Sequence, residues 1–424
     1  MICAGYQIKR VVAIQNYLIS GSFFLQSLLD GHPQVLSLPN LYCAEFYFFW
    51  PQLADLDDAS RVKVFIEAHS NWFSEQHVTV CGLGLDRNEM AIVDPERFSD
   101  ELIKILNSGP PLDRDAFYCA IHIAYALALG RKLPRKDLVL IAPIHSTNSE
   151  MAHWFMEGFP DALYLFTIRH PATNFAAGVR HMVNYLFHER FNVIHSAFTQ
   201  LFLNRAPQIG GHEVFGDRPY REEMRHQCRA VRLEDLHTYP EQVMRAVAEW
   251  IGIGWRDELL KSTLDGKIWW NTRPRRSKVP DANRGSPSIS GFDPHLPWRE
   301  LNTKLTRIDR FRLNVIADRK NRAFGYEKRE FSPLVRLLRF LVVMVLILLP
   351  FQLEREVPLS EKRLENFLLN KYGFFGALSK MIFLMKEYWR VRFCLWKSAV
   401  VIKFEPSLEV TPLEFDIADK QLDN

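Results

Sequence analysis

Short apolar-rich runs without strict alternation recur along the chain at Val11–Ile14, Leu138–Ala142, Leu163–Ile168 and Ala230–Leu233. Runs of this length predict strands covered on both faces, as in a parallel sheet. Segments of helical period separate them, so an α/β pattern is predicted up to about Lys328. In such sheets ligands collect at the C-terminal ends of the strands. Between Ala44 and Arg135 lie the aromatic run Phe46-Tyr47-Phe48-Phe49-Trp50 and the helix-like AIHIAYALALG. This stretch suits acceptor recognition, and equally a scaffold. No internal repeat or low-complexity linker is found.

Beyond Arg329 the pattern changes. Phe340–Leu353, FLVVMVLILLPFQL, is a strongly apolar run without a charged residue. It does not clearly reach the roughly 20 residues of a spanning helix, with Arg339 at its edge and Pro350 within it. A buried helix, an interfacial segment and a re-entrant one are the candidates. If it spans, Lys328, Arg329, Arg336 and Arg339 predict a cytoplasmic catalytic domain. Ile382, Met385, Trp389, Phe393, Trp396 and Val400 then form an apolar stripe at helical spacing, flanked by Lys386, Arg390, Arg392 and Lys397. A basic amphipathic helix rich in Trp and Phe suits a membrane surface, although such stripes also pack against protein. The expected organisation is an α/β domain over 1–330 and a membrane-associated helical tail over 331–424.

Candidate chemistry begins at Asn16–Pro33, NYLISGSFFLQSLLDGHP. Here the first strand feeds the small-residue turn Ser20-Gly21-Ser22 and a helix that ends at His32-Pro33. Glycine is needed where backbone must approach a ligand closely, and the N–H groups opening the helix can bind phosphate or sulfate. A capped, buried helix is the plainer reading of these residues alone. The segment Ala162–Met182, ALYLFTIRHPATNFAAGVRHM, brings Arg169-His170-Pro171 to the end of another strand. A third segment, Ala230–Gly252, runs from a strand through Glu234-Asp235-Leu236 and Pro240-Glu241 into a helix closed by Gly252.

In this order the three segments resemble the sulfotransferases, over about Val11 to Tyr326. The resemblance implies a P-loop-like parallel sheet flanked by helices. It also implies transfer of a sulfuryl group from 3′-phosphoadenosine 5′-phosphosulfate (PAPS) to a hydroxyl or amine of a glycan, a lipid-linked molecule or a small molecule. Ser20, Gly21, Ser22 and Phe23 would then contact the 5′-phosphosulfate, and Arg169 the 3′-phosphate. Two positions depart from the family pattern. Ile19 stands where a Lys or Arg normally precedes Ser-Gly, and Ala177 where a Ser usually contacts the 3′-phosphate. Asn271–Arg284, NTRPRRSKVPDANR, could supply the missing charge through Arg273 and Arg276, in the place of the family's late ligand-closing loop. It could also be a solvated loop. A catalytically inactive nucleotide-binding or scaffold protein of the same fold, attached to a membrane, is the alternative that Ile19 and Ala177 raise. A P-loop kinase is disfavoured, because no G-x-x-x-x-G-K-[ST] occurs.

Attack by an acceptor hydroxyl needs a base within reach of its proton. His145, after the strand-like LVLIA and before the capping-box pattern Thr147–Glu150, is one candidate, and Glu45 is another. His32 is assigned to the turn that ends the first helix.

Composition adds limits. With 424 residues, 48% of them hydrophobic, the chain can bury a large core and carry an appendage. A net charge of +4 is too small to argue for nucleic acid. Six cysteines lie scattered, without C-x-x-C spacing or clustering with histidine, which predicts reduced thiols and no metal site. Lys9-Arg10 precede a run broken at Gln15 and Asn16, so neither a secretory signal nor an N-terminal anchor is read there. The expectation is a bacterial-type enzyme on the cytoplasmic face of the membrane, its oligomeric state left open.

Overall fold

The computed structural model describes residues 2–15, 19–38, 43–78, 80–144, 149–185, 208–209, 222–270, 290–355, 378–379, 381–382, 385–386, 388–397, 399–400 and 408–416. Its centre is a parallel sheet of five strands: β1 (Tyr6–Gln15), β2 (Val35–Ser37), β3 (Leu138–Ile144), β4 (Leu163–Ile168) and β5 (Cys228–Arg232). Their spatial order is β2-β3-β1-β4-β5, with a two-residue strand, Ile2–Cys3, antiparallel to the start of β1. All four predicted strands are present. The three-residue β2 carried too little apolar pattern to be read.

The apolar runs divide between two faces with the strand period of two. Val11 and Ala13, Leu138, Leu140 and Ala142, and Tyr164 and Phe166 pack into one core cluster. Val12 and Ile14, Val139 and Ile141, and Leu165 pack into the opposite one. Both faces are therefore dry, which is why the runs do not alternate with polar residues. Helix α1 (Ser22–Asp30) covers the second face with Leu25 and Leu28. On the first face, α2 (Cys43–Phe49) and α3 (Arg114–Ala128) bring Phe46 and Tyr47 against Phe117 and Tyr118. Those two rings of the aromatic run serve as scaffold, while Phe48 is exposed.

A third cluster forms around α4 (Pro171–Tyr185), which buries Ala172, Phe175, Ala176 and Val179 against α5 (Arg307–Ile316) and α6 (Pro333–Leu346). Val391, Leu395 and Ala399 of the C-terminal helical turns enter the same cluster. Helix α6 has 14 residues, about 21 Å at 1.5 Å per residue. Among the described residues no helix is long and apolar enough to cross a membrane. The buried Arg392 is paired with Glu354, and Arg312 with Asp309.

Near the C-terminus, the chain returns to the sheet. Ala230 N–H of the edge strand β5 donates to Thr411, and Leu413 N–H donates to Ala230. That pairing covers an edge that would otherwise present unpaired backbone groups.

Candidate functional site

The connection leaving β1 runs toward β2 on one side of the sheet, and the one leaving β4 runs toward β5 on the other. Their C-terminal ends flank the point where an α/β sheet opens a crevice. Gln15 pairs in register with Phe166, so Thr167 to Arg169 extend past the end of β1, where Thr167 meets Ser20 of the loop before α1.

That loop ends at Gly21, with φ 96° and ψ 16°, the residue before helix α1. The left-handed backbone favours glycine, and a Cβ there would stand 2.4 Å from Leu233 Cδ1. No side chain caps α1, and its first turn carries no acidic residue. Its leading N–H groups are thus available to an anion, with the positive end of the helix dipole behind them. Ser20 is buried, and its hydroxyl shares a 2.9 Å hydrogen bond with Thr167, which staples the loop to the end of β4. Phe23 meets the edge of Trp269 at 4.9 Å. Ile19 is half-buried and places no charge at the loop.

Arg169, one residue past β4, is buried and donates from Nε (3.2 Å) and Nη2 (2.6 Å) to the carbonyl of Pro297. The segment 290–298 that carries Pro297 also crosses α1: Phe292 meets Phe24 at 5.5 Å, and Asp293 N–H donates to His237 Nδ1. In sequence it lies shortly after the basic stretch Asn271–Arg284. A strap therefore joins helix α1 to the Arg169 motif.

Around Arg169 the titratable groups are dry. Glu234 accepts from His170 N–H at 2.9 Å and from Tyr326 Oη at 2.7 Å. Burial pushes its carboxyl pKa up, against those two hydrogen bonds and the Arg169 charge. His170 and His237 are both lowered to about 4, by burial first. The positive charge of Arg169 lowers both further. Rings that stay neutral so far below pH 7 are poorly tuned as general bases. One turn beyond Arg169, Asn174 is fully buried on α4, and neither its Nδ2 nor its Oδ1 has a hydrogen-bond partner among the described residues. Such a group costs about 1–3 kcal/mol and is what a polar ligand would relieve. Ala177 on the same helix is buried and apolar.

Of the residues singled out from sequence, Ser20, Gly21, Ser22, Phe23 and Arg169 come together at the ends of β1 and β4. His145, Arg273 and Arg276 lie outside the described residues. Glu45 sits on α2, its side chain also outside them. Sequence reasoning missed Asn174, His237 and the Pro297 strap. Glu234 was visible as part of Glu-Asp-Leu, but Asn174 carried no signal. Among the described residues no group of His, Cys, Asp and Glu could hold a metal. A cavity of about 430 Å³ lies at the β5 edge, lined by Arg232, Asp235, Arg322 and Phe415 among others. None of its lining comes from the loop after β1 or from the Arg169 motif, so strand-end geometry rather than cavity size locates the site.

The profile described as "Sulfotransferase family" matches residues 20–257, more than half of the chain. No curated protein matches significantly. Solved structures with similarity include a sulfotransferase domain from the curacin biosynthetic pathway, 20% identical, covering 60% of this chain and 78% of that one, with a TM-score of 0.35. Another is the sulfotransferase domain of the Synechococcus PCC 7002 olefin synthase, at 14% identity, 76% and 97% coverage and a TM-score of 0.40. A third is sulfotransferase STF9 from Mycobacterium avium, at 14%, 59% and 66%, and 0.31. With TM-scores this low, the assignment rests on the family profile.

Proposed function

The chain belongs to the sulfotransferase family, and on that footing we propose that it transfers a sulfuryl group from PAPS to a hydroxyl or amine of an acceptor. The observation that carries the donor assignment is the uncapped start of α1 behind a left-handed Gly21, set beside Arg169 at the sheet's switch point. These residues fit a nucleotide with a phosphate at each end. The α1 N–H groups and the Ser22 hydroxyl would hold the 5′-phosphosulfate, and Arg169 would exchange the Pro297 carbonyl for the 3′-phosphate, an anionic acceptor that it binds more strongly. Asn174 offers a buried amide on the same side.

The donor brings the activated sulfuryl group, and the protein's part is to hold donor and acceptor in line and to meet developing charge. Ile19 cannot neutralise that charge. Support for Arg273 and Arg276 in that role comes from their place just before the strap that engages Arg169 and α1. His145, following β3, is the proposed base, with Glu45 as the second candidate. We place the enzyme at a cytoplasmic membrane face through residues 331–424, acting on a lipid-linked or glycan acceptor, as a bacterial-type sulfotransferase.

The test is calorimetric binding of 3′-phosphoadenosine 5′-phosphate, with ATP and AMP as competitors, to wild type and to Arg169→Ala. Tight, 3′-phosphate-selective binding that the substitution removes is expected. Absence of binding would mean that Ile19 and Ala177 mark a lost donor site.

A further inference from the structure

In the C-terminal helical turns between 378 and 400, the apolar stripe faces outward except at Val400, which is half-buried against the third cluster. Ile382, Met385, Trp389, Phe393 and Trp396 are all exposed, Phe393 to 66%, while Val391, Leu395 and Ala399 on the other side fill the third core cluster. Helix α6 behaves alike. Phe340 and Val343 are buried, and Leu334, Leu337, Leu338, Leu341 and Val345 are exposed, up to 67% at Val345. The two outward faces adjoin. Tyr388 Oη donates to the Leu348 carbonyl, Arg392 Nη1 donates to that of Leu349 at 3.4 Å, and the Arg392–Glu354 ion pair is buried beneath. A soluble surface does not carry large apolar side chains in such number and continuity.

We infer that the paired outward faces of α6 and the C-terminal helix form a docking surface for an anionic lipid bilayer, lying in its interface rather than crossing it. Three observations choose this occupant. Lys386, Arg390 and Lys397 are exposed at spacings of four and seven residues, so they line one edge of the stripe. Lys328 and Arg329 are exposed just ahead of α6. This basic edge complements anionic headgroups, whereas a second copy of the chain would bring cations against cations. Trp389 and Trp396 are amphipathic rings of the kind that settle at headgroup depth. Among the described residues no helix is long and apolar enough to cross a membrane, and outward apolar faces edged by cations suit the surface-parallel mode.

The same cluster that backs this surface contains Phe175 of α4, 5.2 Å from Phe351, so the docking face sits directly behind the helix that follows the Arg169 motif. The inference gives a physical basis to the membrane location proposed above and rests on that reading, but not on its sulfuryl chemistry.

The experiment is flotation of the full-length protein with vesicles of phosphatidylcholine alone, or containing about one third phosphatidylserine. Wild type is expected to float with the anionic vesicles and at least about tenfold less with the neutral ones. Lys386→Glu with Arg390→Glu should abolish that preference. Leu341→Glu with Trp389→Glu should cut flotation at least about tenfold while thermal unfolding stays unchanged, since both side chains are exposed. Arg169→Ala should float like wild type, so that failure of the donor site and failure of the docking surface are read apart. The inference is overturned if wild type floats with neither vesicle, or if the Leu341/Trp389 variant floats as well as wild type. It is equally overturned if sedimentation shows a lipid-free dimer that the same two substitutions dissociate, because a second copy would then cover the face.

Discussion

Arg169 spends two guanidinium donors on one backbone carbonyl, that of Pro297, which lies 128 residues away in sequence. The contact holds the strap over α1 and keeps a buried cation partnered beside the Ser20-Gly21 turn. A phosphate entering here takes over donors that are already oriented. Lysine brings charge without the fork. Arg169→Lys should therefore weaken 3′-phosphoadenosine 5′-phosphate by about 10-fold and Arg169→Ala by about 100-fold, matching the roughly 1.5–3 kcal/mol of hydrogen bonds to a charged group. Calorimetry decides the matter. Equal losses for AMP would show that Arg169 supports the strap and not the 3′-phosphate.

Ile19 leaves the loop before Gly21 without a cation. Ile19→Arg should raise the rate of sulfuryl transfer by at least about 10-fold, since a positive charge at the departing oxygen stabilises the transition state. Single-turnover kinetics with labelled donor reads this directly. A fall in rate would mean that the charge is met elsewhere and that an arginine obstructs it.

Gly21 combines a left-handed backbone with a close approach to Leu233. Gly21→Ala should cost roughly 2–4 kcal/mol of stability and remove donor binding. Paired with Leu233→Ala, it should destabilise by about 1 kcal/mol less than the sum of the two single changes, because the clash is shared. Strict additivity in urea unfolding would refute the contact.

Asn174 has a buried amide and no partner among the described residues. Asn174→Leu should raise the melting temperature of the ligand-free protein, by relief of about 1–3 kcal/mol of desolvation, and should weaken nucleotide binding. A lower melting temperature with unchanged binding would place Asn174 in the structural core.

The hairpin turn Asp265-Gly266 carries a carboxyl pushed up to about 7 by burial and by the charge of Asp30, although Tyr125 Oη donates to both its oxygens. Between pH 4 and 7 the folded protein keeps a proton that the unfolded chain has released, so this group's contribution to stability falls as pH rises. His122, His170 and His237, lowered to about 4, act in the opposite sense and cost stability as pH falls below about 6.5. Asp265→Asn, which suits the left-handed turn, should stabilise by on the order of 2 kcal/mol at pH 8 and little at pH 4.5. Urea unfolding that shows the same gain at both pH values would contradict the assigned pKa.

The sequence determined what depends on neighbours along the chain. Parallel strands buried on both faces reveal themselves as apolar runs, and a strand leading through Ser20-Gly21-Ser22 into a helix reveals a loop with free N–H groups, because both constraints act within a few residues. Ile19 and Ala177 stood out only through the resemblance to the sulfotransferases, as departures from that family's pattern. Tertiary structure alone decided the rest. No local pattern could say that Arg169 meets Pro297, that Asn174 is buried without a partner, or which side of the C-terminal helix is covered. Its apolar stripe suits a membrane surface or a protein partner alike, and the core takes Val391, Leu395 and Ala399 and leaves Trp389 and Phe393 outside. Helical periodicity reports that two faces differ; which face is hidden depends on what the rest of the chain folds against it.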